Sequence, residues 1–305
     1  MNEQNLNSTN DCSLPAESNP IISVIIPHYN DLANLDKCLQ LLAAQTLPRE
    51  RFEIVVADNN SRCGLEEVQR VCGNLARVIH APIQGAGPAR NVAVEASRGQ
   101  FLAFTDSDCR PSATWLERGL VALSTSDIVG GRIEVEVTDP AHPTGVEAFE
   151  KVFAFNFKRY IEKLGFSATC NMFVSRKIFD QVGGFRPAVA EDMDWGRRAV
   201  EANYRCNYGP DVVIAHPARR DWNELKQKWK RCSKEAYHDA KEVPNGLAIW
   251  YFRSFGILLS PFIHWITVIR SDKLDNLSQK LSAIGVLFAI RFWRFFECNR
   301  ILLTR

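Results

Sequence analysis

The sequence predicts an α/β protein: a mostly parallel sheet with helices on both faces, followed by a helical extension. Three observations predict it. Short β-branched runs alternate with amphipathic stretches from Ile21 to about Pro217. Several of those runs are continuously apolar, as strands buried on both faces require. Beyond Arg219 the strand signature ends and basic, aromatic helices take over. The 305 residues are 46% hydrophobic and 24% charged, enough for one large core and a smaller appendage.

Residues 1–20 are rich in Asn, Ser, Glu and Asp and lack the basic flank and apolar stretch of a secretory signal. They read as a disordered leader, ahead of a domain at 21–220 and an extension at 221–305. Ile21–Ile26 is a buried strand closed by Pro27. Residues 31–45 are a helix, with Asp31 at its start and Leu32, Leu35, Cys38, Leu39 and Leu42 on one face. Phe52–Ala57 and Ala76–His80 are strands flanking a helix over Leu65–Cys72. Gly85-Ala86-Gly87-Pro88 opens a helix to about Ser97, and Phe101–Phe104 is the fourth strand. A helix over Trp115–Ser124 and a strand over Ile128–Val137 follow. Pro140 and Pro143 mark a loop, and Val146–Leu164 reads as one helix. After Ala168–Val174 come a helix at Arg176–Val182, the turn Gly183-Gly184-Phe185, a helix opened by Glu191-Asp192, and a short strand Val212–Ala215.

The extension is the basic part. Residues 219–305 hold 16 Lys/Arg against 8 Asp/Glu, leaving residues 1–218 net acidic. That asymmetry suits an anionic surface, whether lipid headgroups or nucleic acid. A basic helix over Asp221–Tyr237 is followed by apolar stretches at Leu247–Ile269 and Leu281–Phe296, both marginal or short for a membrane span. Ile284, Phe288 and Phe292 recur every four residues while Arg291 and Arg294 fall elsewhere. This fits a helix lying in a membrane interface and equally a core-packing helix. Nine cysteines without CxxC spacing read as reduced thiols, consistent with a cytoplasmic protein, peripheral to the inner membrane face if the helices seat there.

The chemistry concentrates at strand ends. Thr105-Asp106-Ser107-Asp108 directly follows the fourth strand. Asp-Ser-Asp there is either an ordinary turn or a pair of hard oxygen donors for a divalent cation. Asp58-Asn59-Asn60-Ser61 closes the second strand, Ala89-Arg90-Asn91 lies in the helix after the Gly-rich loop, and Glu191-Asp192 opens a later helix.

Taken in order, Pro27-His28-Tyr29-Asn30, Asp58, Gly87-Pro88-Ala89-Arg90-Asn91, Asp106-Ser107-Asp108 and Gly183-Gly184-Phe185 with Glu191-Asp192 and Arg198 resemble the family 2 inverting glycosyltransferases of the GT-A fold. The resemblance spans residues 20–220. It implies a Rossmann-like sheet and transfer of a sugar from a nucleoside-diphosphate donor to an acceptor hydroxyl, with a UDP-sugar favoured. The acceptor would be a glycan or a lipid-linked molecule, and no nucleic-acid partner is expected. It implies that Pro27, Tyr29, Asn30, Asp58, Arg90, Asp106 and Ser107 line the donor site. Asp108 and His216 would hold Mn²⁺ or Mg²⁺, Asp192 would act as base and Glu191 as its helper. Glu-Asp-Met-Asp leaves Asp194 as an alternative base. Arg219 and Arg220 could clamp the diphosphate, and Trp195, Trp222 and Trp229 could stack on a sugar or pack internally. Two other classes remain beside this one. A nucleotidyltransferase would need a basic Gly-rich loop after the first strand, which Pro27–Asn30 lacks. A non-catalytic nucleotide-sugar scaffold would not need the acids at 106, 108 and 192.

Overall fold

The computed structural model describes residues 20–187 and 190–304, so most of the acidic leader lies outside the described residues. Eight strands form one sheet in the order β3-β2-β1-β4-β7-β6-β8-β5. β1 (Ile22–His28) sits between β2 (Phe52–Asp58) and β4 (Phe101–Thr105), and β3 (Arg77–His80) extends β2, all parallel. β7 (Asn171–Ser175) runs antiparallel between β4 and β6 (Ile128–Glu136). β8 (Cys206–Pro217) is parallel to β6, and the two-residue β5 (Arg110–Pro111) pairs antiparallel with β8.

Helices cover both faces. α1 (Leu32–Ala43) is capped by the Asp31 carboxylate, which accepts from the Asn34 N–H, and buries Leu35, Cys38, Leu39 and Leu42. With α2 (Leu65–Cys72) and α4 (Trp115–Leu123) it encloses one core around Ile26, Val56 and Phe173. α3 (Ala86–Ala96), α7 (Arg176–Val182) and α8 (Glu191–Glu201) enclose the other, around Phe104, Phe185 and Trp195.

One predicted helix is two. Residues 146–164 form α5 (Gly145–Phe153) and α6 (Phe157–Leu164), broken at Phe155, whose φ is +55°. A bulky residue in the left-handed region needs compensating contacts. Phe155 finds them on His216, with ring centroids 4.6 Å apart.

Four helices complete the chain: α9 (Trp222–Lys241), α10 (Gly246–Leu259), α11 (Pro261–Ile269) and α12 (Leu277–Leu303). Val146 and Phe149 of α5 share a core with Leu225, Val268, Ala283, Leu287 and Ile290, seating this layer on the α/β part. Glu150, almost wholly buried, fastens it: its carboxylate accepts from Lys228 Nζ at 2.9 Å and Arg219 Nη1 at 3.1 Å. α12 packs in the core along one face and exposes apolar side chains along another. Ala283, Leu287 and Ile290 are core, while Leu281, Phe292 and Phe296 are exposed. Among the described residues no single helix is long and apolar enough to cross a membrane; α10 and α11, bent by 45°, meet that test only as a pair.

Candidate active site

The sheet topology brings the predicted residues to one edge. The carboxyl ends of β1, β2 and β4 point there, and the register sets His28 opposite Asp58. Because β7 is antiparallel, its beginning lies at the same edge, with Asn171 opposite Thr105. β5 sets Arg110 opposite Ala215, which draws Asp108 and His216 together.

Arg90 on α3 is the hub. It is 3% exposed, and its guanidinium donates to Asp106 Oδ1 at 2.6 Å and Glu191 Oε1 at 3.0 Å. It stands 5.9 Å from the Phe185 ring centroid. Burial opposes its charge, but Asp106, Glu191 and Asp192 overcome that and hold it above its ordinary value. Asn91, the next residue, fixes the Gly-Gly-Phe turn: its Nδ2 donates to the Phe185 carbonyl and its Oδ1 accepts the Phe185 N–H, both at 2.8 Å. Gly183 has φ +84°, and a Cβ on Gly184 would lie 2.8 Å from Asn91 Oδ1, so this close turn requires glycine.

The acid pair divides clearly. Glu191 is held by Arg90. Asp192 Oδ1 accepts from Thr169 Oγ1 at 2.7 Å and the Thr169 N–H at 3.2 Å, while Oδ2 has no hydrogen-bond donor among the described residues. Burial first, and the Glu191 charge second, push the Asp192 carboxyl up to about 6, against the pull of Arg90 and Thr169. Asp194, the alternative base, is 6% exposed and clasped by Arg198 Nε at 3.0 Å and Arg186 Nη1 at 3.4 Å. Arg198 also donates to the carbonyls of Val182 and Gly184, so Asp194 belongs to a staple on the turn.

At the other side, His216 Nδ1 lies 2.8 Å from the Pro217 carbonyl. A carbonyl only accepts, so Nδ1 carries a proton. Nε2 faces Asp108 Oδ2 at 3.4 Å. The contact is an ion pair when the ring is protonated, and offers an oxygen and a nitrogen donor to a cation when it is not. Burial pushes the Asp108 carboxyl upward, with His216 opposing and Asp106 adding to the rise. Among the described residues no cluster of three or more His, Cys, Asp or Glu could hold a metal alone. A divalent ion here would need donor phosphates and water in its shell, as Mg²⁺ and Mn²⁺ accept.

The donor-side residues are also assembled. Asp58, 2% exposed, takes His28 Nδ1 on Oδ1 at 3.1 Å and the Ser61 N–H on Oδ2 at 3.2 Å. His28 Nε2 accepts the Asp31 N–H, which assigns the donating proton to Nδ1. Pro27 lies half-buried in β1, and Tyr29 is half exposed just beyond it. Asn30, at φ +54°, receives the Arg62 N–H on its side-chain oxygen, and Ser107 is half-buried between the two acids.

Some expected roles move. Arg219 is occupied by Glu150, and Arg220 lies exposed. Trp195 is buried, donating to the Gly183 carbonyl and stacking on Phe179, so it offers no sugar face. Trp222 and Trp229 pack with the α5–α12 core. Three participants escaped sequence reasoning: His28, Thr169 and Phe155. The Pro27-His28-Tyr29-Asn30 segment pointed near the first. Nothing local marked the others, whose partners lie far along the chain.

Known proteins bear on this site. The sequence matches the profile described as glycosyl transferase family 2 over residues 23–183, more than half the chain, and that of glycosyl transferase family group 2 over 106–292. Glycosyltransferase AglE of Haloferax volcanii is 38% identical over 219 residues, covering 69% of this chain and 71% of its own. The pre-mycofactocin glycosyltransferase of Mycobacterium tuberculosis is 27% identical over 221 residues; the match spans only 44% of that protein's length. Among solved structures, mannosyltransferase PcManGT of Pyrobaculum calidifontis, in complex with GDP-Man and Mn²⁺, superposes with a TM-score of 0.58 at 19% identity. It covers 94% of this chain and 88% of its own. GalNAc-T7 with UDP, GalNAc and Mn²⁺ gives 0.51 at 17% identity, over 68% of this chain and 45% of its own. These last two establish the fold, which is GT-A. The profile and the Haloferax relative go further: this chain belongs to glycosyl transferase family 2 and is a glycosyltransferase.

Proposed function

We propose that the protein transfers a sugar with inversion from a nucleoside-diphosphate donor to an acceptor hydroxyl, with a divalent cation at Asp108 and His216. The observation that carries this reading is the ring of acids around buried Arg90, in which Asp192 alone combines a raised carboxyl with an oxygen free to take a proton. Asp192 removes the acceptor hydroxyl's proton as that oxygen bonds to the anomeric carbon. The carbon–oxygen bond to the diphosphate breaks on the opposite face, and the nucleoside diphosphate leaves with the electron pair. Arg90 keeps Asp106 and Glu191 in place through the change. Asp58, fixed by His28 and Ser61, accepts donors from the base or ribose. A divalent cation, if bound, would be held by Asp108 and His216 and would supply neutralisation of charge on the leaving group.

The donor class is supported by neighbours solved with GDP-Man and with UDP-GlcNAc, the latter TarS of Staphylococcus aureus. For the acceptor, an apolar cavity of about 550 Å³ adjoins the acid pair through Ala190 and Met193 and reaches Val243 beyond α9. It suits a molecule with a greasy portion, such as a lipid-linked glycan. The exposed aromatic residues of α10–α12 support seating on a membrane surface, the cytoplasmic face in our reading.

Calorimetric titration of UDP and GDP, with and without Mn²⁺, tests the donor half of the proposal. Mn²⁺ should tighten diphosphate binding by about tenfold or more in the wild type, the scale of a lost metal ligand set. Asp108→Asn and His216→Ala should remove most of that gain. Binding that ignores Mn²⁺ would overturn the cation assignment.

A further inference from the structure

Over residues 291–296 α12 turns apolar side chains outward and a charge inward. Phe292 and Phe296 are 57% and 55% exposed, whereas Arg294 is 9% exposed. Among the described residues neither Arg291 nor Arg294 has a hydrogen bond or ion pair; both lie over the Trp229 ring, at 5.9 and 3.7 Å from its centroid. Burying an unpaired charge costs several kcal/mol, and two together repel. Burial first, then Arg291, push the Arg294 guanidinium down. Two further groups, Trp229 and His264, share this want of a partner. Trp229 Nε1 and the Nε atoms of both arginines are buried without an acceptor, as is His264 Nδ1 on α11. Burial first, then the charges of Arg291 and Arg159, push the His264 imidazole down, so these groups form one electropositive cluster of α9, α11 and α12.

The rim of this cluster is apolar. Phe262 of α11 meets Phe288 of α12 edge-on at 5.2 Å, and Phe292 meets Phe296 at 5.0 Å. Phe262 and Ile263 are 66% and 69% exposed. Residues 243–271 contain no Asp or Glu, so nothing acidic on α10 or α11 opposes an anion.

From this we infer that Arg291 and Arg294, with Trp229 and His264, form a binding site for the phosphate of an anionic membrane lipid, whose acyl chains lie on the surrounding aromatic face. Guanidinium forks match phosphate oxygens, the indole N–H adds a donor, and aromatic side chains favour the headgroup level. A free anion would satisfy the arginines but would leave the apolar rim in water. The inference rests on the proposed seating of these helices on a membrane, and adds a headgroup preference to it.

Two measurements on the full chain, neither using turnover, separate the two ideas. In co-flotation, the wild type should bind vesicles of phosphatidylcholine mixed with phosphatidylglycerol about tenfold more tightly than phosphatidylcholine alone, two basic residues each contributing near the surface. Arg291→Gln/Arg294→Gln should lose that preference yet keep binding through the aromatic face. Arg270→Gln, an exposed charge outside the cluster, should largely retain it. Equal binding to both vesicle types overturns the phosphate site while leaving the seating intact. Thermal shift with soluble short-chain lipids needs neither vesicles nor variants. Short-chain phosphatidylglycerol should raise the Tm of the wild type more than phosphatidylcholine or inorganic phosphate. Equal stabilisation by inorganic phosphate overturns the lipid assignment, and no shift with any of the three overturns the site.

Discussion

Replacing Asp192 by Asn should slow the enzyme and stabilise it at once. The amide keeps an oxygen for the Thr169 N–H and hydroxyl, so the local geometry survives. The base is gone, and loss of a positioned base lowers turnover by roughly 10²–10⁴. Donor binding should change little, because Arg90, Asp106 and Asp108 remain. The stability gain follows from the raised carboxyl. Asp192 titrates at about 6 in the fold against an ordinary 3.8, so ionising it costs folding free energy at every pH above about 6. A shift of about two units is worth roughly 3 kcal/mol, and partial solvent access reduces this to about 1–2 kcal/mol. The variant should therefore melt a few degrees above wild type at pH 8. The difference should shrink as pH falls from about 6 towards 4, where the wild-type carboxyl is protonated too. Differential scanning calorimetry across that range, with single-turnover sugar transfer at saturating Mn²⁺, reads both effects. In wild type, kcat/KM should fall on the acid side of about pH 6. Undiminished turnover in Asp192→Asn would remove the residue from catalysis. Bound nucleoside diphosphate with no transfer or donor hydrolysis in either protein would favour a scaffold without turnover.

Two further outcomes follow from the ion pairs. Arg90→Gln should cost about 3–5 kcal/mol in urea unfolding, because a buried partner of Asp106 and Glu191 is lost; Arg90→Lys should restore only part, lacking the fork that spans both acids. Glu150→Gln should cost about 2–4 kcal/mol at pH 7 by leaving Lys228 and Arg219 poorly paired. Burial alone would raise the Glu150 carboxyl, but Lys228 and Arg219 hold it below its ordinary 4.5, so its contribution persists above that value and fades as pH falls below it. Acid unfolding of wild type and variant should then converge in that window.

Much of the α/β part was legible because its signals are local. Leu65–Cys72 and Arg176–Val182 emerge with their predicted ends, set by apolar spacing and by glycines at 73 and 183. Strand direction was not legible: nothing within Asn171–Ser175 says that it runs against β4. The break at Phe155 was equally hidden, since its reward is a ring on His216, more than fifty residues away. The engagement of Asp194 was legible: Asp194 and Arg198 stand four apart on a helix, the spacing of an intrahelical pair, and that pairing favours Asp192 as the proposed base. The inward arginines of α12 were half legible. Their separation from Phe288 and Phe292 was visible, but only the packing shows that the charged side faces the protein.

The charge balance of the site argues for cation dependence without reference to any relative. Asp106, Asp108, Glu191 and Asp192 crowd one sheet edge, and Arg90 answers them as a single buried charge. Arg110, two residues after Asp108, directs its hydrogen bonds to the Asp108 and Cys109 carbonyls and to Asn34. A nucleoside-diphosphate donor would bring further negative charge to an edge already short of positive charge, and like charges at contact distance in a partly buried site repel by several kcal/mol. On the proposed function, a divalent cation that binds the acids and the phosphates together would supply the attraction. Asp108 and His216, 3.4 Å apart, are where we propose that such a charge would sit. On this reading the acids are not a cost that the nucleotide must overcome. They would make binding conditional on the cation, and the leaving group would then be neutralised from the outset.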